Sequence, residues 1–292
     1  MRRIACLLLA ALVALPGAAA FARGETAASR RMVSYEAYKL PDIGKGEWVS
    51  DAPNVAAVEG RTVTALAPGE ALLIRTAKGK ETARLLVTVE EDPAPPAEIL
   101  RAIDAAIAEW EEAAGKSMKR SNKYTTWYYG PKASFGWCGA FAVYALAQGG
   151  VALAPTDSYK GLKPLADGSP YGVREAGVPK LLVGFGNLDR LTNVPRPGYL
   201  VVYGERGGYG ALHVGLVTRV QALGDGTFLL ETAEGNLASR VKRLSYVYDS
   251  RAGERQRNIS MVGADMQTGP DVFQYRLTDE SWRVTAFLQT WY

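Results

Sequence analysis

Cysteine and histidine are the scarcest reactive residues of this 292-residue chain, with two of the first and one of the second. Cys6 lies in an N-terminal segment that we expect to be removed, which leaves Cys138 as the only thiol and His213 as the only imidazole. A single thiol cannot form a disulfide within the chain. In an exported protein it indicates reactivity or intermolecular pairing, although a small, inert, buried side chain is the simpler alternative.

The chain has one strongly apolar run, and that run is at its start. Met1-Arg2-Arg3 supplies positive charge, Ile4 to Pro16 is apolar, and Ala20-Phe21-Ala22 forms a small-x-small cleavage site. Residues 1–22 therefore predict a secretory signal peptide, which is too short for a membrane anchor. No later segment is apolar enough to span a bilayer. We expect an exported protein, secreted or held in the periplasm or cell envelope, without membrane insertion.

Neither sign of charge dominates the chain. There are 34 Lys and Arg residues against 30 Asp and Glu, a net charge of +4 that falls to about +2 when Arg2 and Arg3 are removed. This near balance indicates neither a nucleic-acid partner nor a membrane-surface partner. The length favours two domains. We expect a monomer.

Short β-type runs separated by glycine and proline turns fill residues 32–91. The expected strands are Val55 to Val58, Thr62 to Leu66, Ala71 to Arg75 and Arg84 to Val89. Strands of this length and spacing predict a small β-sandwich. The stretch Trp48-Val49-Ser50-Asp51-Ala52-Pro53-Asn54-Val55, with Gly60, Val63-Thr64-Ala65 and Gly69 after it, resembles the bacterial Ig-like (group 2) domain. That resemblance implies a spacer or adhesive module.

A proline-rich linker at residues 92–96 separates this module from a second domain, which we place at 97–266. The second domain opens with an amphipathic helix from Ile99 to Ala114, with Gly115 as its C-cap. Residues 267–292 form a C-terminal extension rich in aromatic side chains. We expect strands there that pack against one of the domains.

Cys138 opens a predicted buried helix that extends to Ala147 and is terminated by Gly149-Gly150. In the first turn of a helix, unpaired N–H groups and the positive end of the dipole favour a thiolate. The same N–H groups can stabilise the oxyanion that forms when a thiolate attacks a carbonyl. A core cysteine more often lies in the middle of a helix, so this position favours a catalytic role.

His213 lies on a predicted strand from Leu212 to Val220, followed by a loop and a second strand from Thr227 to Glu234. A hairpin centred between Leu223 and Gly224 places His213 directly opposite Glu234, with Asn236 next on the same face. A slip of one residue would reverse that assignment. We therefore predict that Glu234 or Asn236 orients the imidazole. A structural histidine and a solvated carboxylate are the simpler alternatives.

These segments together resemble the CHAP family of cysteine, histidine-dependent amidohydrolases/peptidases, relatives of NlpC-type enzymes. The matching motifs, in order, are Tyr124 to Gly130, Trp137-Cys138-Gly139-Ala140-Phe141, Pro197-Gly198, His213-Val214-Gly215-Leu216-Val217 and Glu234-Gly235-Asn236. The resemblance implies an α+β papain-like hydrolase domain after the Ig-like sandwich. It implies Cys138 as nucleophile, His213 as base, and Glu234 or Asn236 as the third group.

The resemblance also implies a substrate, which is peptidoglycan cleaved at stem-peptide amides or at the muramoyl–alanine junction. Aromatic side chains before the nucleophile suggest substrate binding by Trp137 and Tyr129, with core packing as the alternative. One departure is Tyr199, where the family commonly has an acidic residue. The chain also has no Asp-rich calcium loop, so we expect no metal and no cofactor.

Two other functions stay open at this point. The Ig-like module is compatible with a wall-binding or adhesive protein whose CHAP-like domain is inert. Alternatively, the same chemistry could act on a small peptide–amine conjugate, which export of the protein disfavours. The chemical state of Cys138 separates the inert alternative from the enzyme.

Overall fold

A computed structural model describes residues 28–91, 93–154, 169–205, 210–224, 226–256, 272–277 and 282–291. The predicted signal peptide lies outside the described residues. The described chain forms two units. An all-β unit comes first, and a larger unit of helices and strands follows it.

The first unit consists of two small sheets around one apolar core. The four-stranded sheet contains β1 (Ala28–Val33), β3 (Glu47–Ser50), β6 (Gly69–Ala77) and β7 (Lys80–Glu90); the three-stranded sheet contains β2 (Ala37–Lys39), β4 (Ala56–Glu59) and β5 (Thr62–Ala65). Buried Met32, Val63 and Val87 pack together between the sheets. All four predicted strands are present. The unit begins before the predicted boundary at residue 32, because β1 pairs in parallel with β7.

The described part of the second unit contains four helices: α1 (Ala97–Ala113), α2 (Lys123–Tyr129), α3 (Cys138–Gly149) and α4 (Val178–Asn187). The C-cap of α1 is Ala114, which adopts a left-handed conformation and lies one residue before the predicted cap, Gly115. Helix α3 begins at Cys138, as predicted, and Gly150 caps it with a φ of 88°. None of the helices in the described ranges is long and apolar enough to cross a membrane.

Six strands of the second unit close into an antiparallel barrel. The strands of this unit are β8 (Ala152–Ala154), β9 (Tyr171–Val173), β10 (Leu191–Thr192), β11 (Leu200–Glu205), β12 (His213–Gly224), β13 (Thr227–Leu237), β14 (Arg240–Gln256), β15 (Val272–Leu277) and β16 (Trp282–Leu288). The order β16-β11-β12-β13-β14-β15 returns to its start, because β15 also pairs with β16. Closure leaves these six strands without a free edge.

The C-terminal segment contains strands, as predicted, but they are part of the second unit rather than an extension beyond it; residue 266 itself lies outside the described residues. Strand β16 hydrogen-bonds with β11 along its length and with β15, so it is an integral part of the barrel. Phe287 and Leu288 are buried in the main core. The C-terminal segment therefore belongs to the second unit, because the barrel cannot close without its strands.

Specific polar contacts join the two units. The amide of Asn193 accepts a hydrogen bond from the Ala37 N–H at 2.7 Å and donates one to the carbonyl of Tyr35 at 2.9 Å. The ring of Tyr35 packs edge-on against Phe228 of the barrel, with centroids 6.2 Å apart. These contacts fix the all-β unit against the barrel wall.

The β13–β14 hairpin turns through Ala238 and Ser239, with φ values of 53° and 60°. Two consecutive positive φ angles are typical of a type I′ turn, which favours glycine at its second position. The β6–β7 hairpin has the same form and does carry Gly79 there. The Ser239 position is therefore strained, because a side chain in the left-handed region costs about 1 kcal/mol.

We predict that Ser239→Gly raises the free energy of unfolding by about 1 kcal/mol because it relieves that strain. The matched variant Gly79→Ser introduces the same strain and should destabilise its own hairpin by a similar amount. Urea unfolding followed by circular dichroism measures both changes. Destabilisation by Ser239→Gly would contradict this account of the turn.

Candidate active site

Cys138 is the first residue of α3, and Trp137 is the N-cap. The helix's hydrogen bonding starts with the Phe141 N–H donating to the Trp137 carbonyl at 2.9 Å. The N–H groups before Phe141 have no acceptor within the helix, so they and the helix dipole surround the thiol with partial positive charge. Cys138 is buried, with 8 % of the residue exposed.

Two glycines allow α3 to approach its neighbours closely. A Cβ on Gly235 of β13 would lie 2.4 Å from the Cβ of Phe141, and a Cβ on Gly139 would lie 2.1 Å from the Ala176 carbonyl oxygen. Both distances are far below van der Waals contact. The absence of these side chains therefore sets how closely the N-terminal turn of α3, and with it Cys138, packs against the barrel.

His213 connects Cys138 to Glu234. Its Nε2 lies 2.9 Å from Oε2 of Glu234, and the interaction of the imidazole with the Cys138 side chain raises the pKa of His213. Because Nε2 is hydrogen-bonded to Glu234, Nδ1 is the ring nitrogen available to the thiol. The structure thus brings together three of the predicted site residues, in the order of nucleophile, base and orienting carboxylate.

The predicted register of the β12–β13 hairpin is wrong, although the pairing of the two strands is as predicted. Leu216 pairs with Ala233, whereas the prediction paired it with Glu231. Both strands extend into the predicted loop. Irregularities after Val217 and Ala222 change which residues pair across the hairpin. Near the site the error is two residues, an even number, so the predicted faces are preserved. Continuing the observed register places Glu234 opposite Gly215 rather than opposite His213.

Gly215 explains how Glu234 reaches His213 from that position. A Cβ on Gly215 would lie 2.7 Å from Cγ of Glu234, so the glutamate side chain crosses the space that any larger residue would fill. The carboxylate then extends diagonally to His213, two residues along the same face. Gly215 is therefore a positioning residue of the site.

The carboxylate of Glu234 is almost completely buried and accepts hydrogen bonds on both oxygens. Oε1 accepts from the Tyr203 hydroxyl at 2.6 Å and from the Thr232 hydroxyl at 2.7 Å, while Oε2 faces the imidazole. The hydroxyl of Tyr203 also lies 2.6 Å from that of Tyr246. Burial, and then the negative charge of Glu234, raise the pKa of Tyr203 well above its ordinary value, so it stays a neutral donor.

The pKa of His213 is raised from 6.5 to about 9. Burial alone lowers it, but the hydrogen bonds with Cys138 and Glu234, and the negative charges of both, outweigh the burial. The imidazole is therefore protonated at neutral pH and can pair with a thiolate. Since the folded-state pKa is raised, this pairing stabilises the fold fully below pH 6.5 and is lost as the pH rises through about 9.

The other predicted site residues lie elsewhere. Asn236, with a φ of 62°, directs its amide nitrogen toward Gly136 in the segment before Cys138, and of the two predicted orienting residues it is Glu234 that hydrogen-bonds to the imidazole. Trp137 is fully buried and stacks on Tyr124, so its ring has no exposed surface for a substrate. Tyr129 is 75 % exposed on α2.

A cavity of about 370 Å³ opens at the mouth of the barrel beside the imidazole. Its lining comes from five strands and the β13–β14 turn: Tyr203, His213, Glu234, Leu237, Ala238, Lys242, Leu244, Ser245, Tyr246 and Trp282. Trp282 packs edge-on against His213, with centroids 5.8 Å apart. Within the described ranges, no group of three or more His, Cys, Asp or Glu side chains could hold a metal ion.

The sequence analysis missed the side chains that support Glu234 and His213. Thr232 was detectable, because it lies two residues before Glu234 on the same strand and shares its face. Tyr203 pairs across the sheet with His213, which depends on the β11–β12 register. Trp282 reaches the site only through closure of the barrel, for which the sequence contains no local signal.

Comparison of the chain with protein-family models, with curated proteins and with solved structures finds no match in any of the three. The geometry of the site is therefore the basis for a functional proposal, together with the motif resemblance.

We predict that His213 titrates near pH 9, a value that NMR of ¹⁵N-labelled histidine can report without ambiguity because the chain has one histidine. Glu234→Gln keeps the shape of the side chain but removes a negative partner, so it should lower the pKa of His213 toward 6.5. Glu231→Gln is the control. Glu231 forms an ion pair with the exposed Arg219, and its replacement should leave the titration of His213 unchanged. An equal shift in both variants would contradict the pairing.

Gly215→Ala should separate Glu234 from His213, because the added methyl group occupies the path of the glutamate side chain. We expect a loss of hydrolytic activity of about 10²-fold and a lower pKa of His213, with the fold retained. Steady-state kinetics and the same NMR titration measure the two effects. Full activity with an unchanged titration would show that Gly215 has no positioning role.

Proposed function

We propose that this protein is an exported cysteine amidohydrolase or peptidase of CHAP type that cleaves amide bonds in peptidoglycan. The observation that carries the chemistry is the position of His213, which hydrogen-bonds to the Glu234 carboxylate and interacts with the Cys138 side chain. The motif resemblance supports the choice of peptidoglycan, and the N-terminal segment supports export. The papain-like fold and the Ig-like module belong to the same proposal.

In the first half of the reaction, the Cys138 thiolate attacks the carbonyl carbon of the scissile amide. The negative charge that develops on the carbonyl oxygen lies near the free N–H groups at the start of α3. As the carbon–nitrogen bond breaks, the His213 imidazolium gives its proton to the departing amine, which leaves a thioester on Cys138.

In the second half, neutral His213 accepts a proton from a water molecule as the water oxygen attacks the thioester. The carbon–sulfur bond breaks, the carboxylic acid product leaves, and the thiolate–imidazolium pair is restored. Glu234 supports the imidazolium in both halves and holds the ring with Nδ1 toward the sulfur. Asn236 takes no part in this orientation, although its amide lies beside the segment that carries the nucleophile.

One observation favours a second candidate, which is a wall-binding or adhesive protein with an inert second unit. The thiol of Cys138 is 8 % exposed, and buried cysteines are commonly unreactive. The two candidates differ in the chemical state of this thiol. An enzyme requires a thiolate that alkylates quickly at neutral pH, whereas an inert core cysteine reacts only when the protein unfolds.

We predict that the mature protein releases fragments from purified peptidoglycan sacculi and that Cys138→Ala abolishes the release, because no other thiol remains in the mature chain. Mass spectrometry of the fragments identifies the new amine and carboxyl ends, and with them the cleaved bond. Cys138→Ser is the matched control, since it keeps the size of the side chain but is a far weaker nucleophile.

Iodoacetamide at neutral pH gives an independent result on the native protein. Rapid alkylation of Cys138, slowed by Glu234→Gln, is expected for the enzyme. Release of fragments by Cys138→Ala at the unmutated rate would refute the mechanism. A thiol that resists alkylation, together with no release from sacculi, would favour the wall-binding candidate.

A further inference from the structure

We propose that the barrel-mouth cavity is a substrate subsite that binds a free carboxylate through the ammonium group of Lys242. The proposal deepens the proposed function, because it names the chemical feature that the hydrolase recognises next to the scissile bond. It would select peptides in which an ionised carboxylate lies close to the cleaved amide, and it would disfavour the corresponding carboxamides.

The position of Lys242 follows from the strand pairing. Lys242 of β14 pairs with Glu234 of β13, and Leu244 pairs with Thr232. Residues that pair directly share a face of the sheet, and side chains alternate along a strand. Lys242 and Leu244 therefore face the barrel interior with the catalytic carboxylate, and both line the cavity.

The charge of Lys242 is not needed by Glu234. Both oxygens of that carboxylate already have partners, which are the hydroxyls of Tyr203 and Thr232 on one side and His213 on the other. Among the described residues, no carboxylate lies within ion-pair distance of the Lys242 ammonium group. Lys242 is a half-buried residue that lines the cavity, so a carboxylate ligand bound there would be a favourable partner for its ammonium group.

The rest of the lining suits the apolar part of such a ligand. Leu237, Leu244 and Trp282 provide aliphatic and aromatic walls. The hydroxyl of Tyr203 donates to Glu234, and the hydroxyl of Tyr246 lies within hydrogen-bond distance of that of Tyr203. A volume of about 370 Å³ lies at the lower end of the range for small-molecule sites and is sufficient for an amino-acid residue. The cavity therefore offers one cationic contact in mainly apolar surroundings.

His213 links this cavity to the reaction centre. The imidazole lines the cavity and also interacts with the Cys138 side chain, so a group bound in the cavity would be separated from the attacked carbonyl by the imidazole ring. Binding of a group in the cavity can therefore position the scissile amide.

The test compares two forms of one soluble substrate. A single disaccharide–tetrapeptide muropeptide is purified from muramidase-treated sacculi, and a portion is converted to carboxamides with carbodiimide and ammonia. Steady-state rates on both forms are measured for the unmutated protein, Lys242→Met and Lys242→Arg. Lys80→Met, an exposed lysine of β7, is the matched control for the change in net charge. Binding of both forms to the Cys138→Ala protein is measured by calorimetry.

We expect Lys242→Met to raise KM for the carboxylate form about tenfold and to leave kcat and the rate on the carboxamide form unchanged. Lys242→Arg should restore most of the loss, and Lys80→Met should have no effect. Lys242→Met in the Cys138→Ala background should weaken binding of the carboxylate form alone. Equal effects of Lys242→Met on both forms would overturn the subsite.

A fall in kcat on both forms, with a shift of the pH profile, would instead show that Lys242 acts on Glu234. The calorimetry keeps the proposed function separate from the subsite. If no variant hydrolyses the muropeptide, the proposed function fails. Preferential binding of the carboxylate form through Lys242 would then still support the subsite, and equal binding of both forms would refute it.

Discussion

The buried carboxylate of Glu234 is the interaction on which the arrangement of the site depends. A charge removed from water is tolerated only where hydrogen bonds replace its hydration, and here three donors do so. Each donor comes from a different place in the chain: Tyr203 is on β11, His213 on β12, and Thr232 on β13. The carboxylate thereby ties three adjacent strands together at the barrel mouth. It also holds the one imidazole of the chain beside Cys138.

Closure of the barrel makes this arrangement rigid and shapes the cavity beside it. Strand β16 follows most of the chain, yet it pairs with β11 and brings Trp282 into T-shaped contact with the imidazole of His213. On the other side, the tight turn after β13 folds β14 back at once and places Lys242 opposite Glu234. One end of the barrel thus contains His213, Glu234 and the cavity lined by Lys242, and their arrangement depends on the same strand register.

Much of this arrangement could be predicted from local sequence patterns. The glycine pair after α3, the position of Cys138 at its first turn, and the alternation around His213 all depend on neighbouring residues. Register and closure could not be predicted, because they depend on how many residues each bulge adds and on pairing between distant segments. The register error of two residues preserved the faces, so Glu234 was still identified. The role of Gly215 became apparent only with the observed register, because it lies opposite a residue more than fifteen positions away.

The free-energy cost of burying these polar groups bears on the function of the site. Buried polar networks of this kind are commonly no more stabilising than well-packed apolar side chains of similar volume, which can be better by about 1–4 kcal/mol. The barrel mouth nevertheless places a thiol, an imidazole and a carboxylate in series, and omits a side chain at Gly215 so that they meet. Stability alone does not explain that combination. A protonated imidazole beside a thiol at the start of a helix is, in contrast, what an acyl transfer through sulfur requires. The low exposure of Cys138 limits how a substrate can approach the sulfur. A substrate bound in the adjacent cavity would overcome this limit, because its carbonyl group would already be positioned for attack.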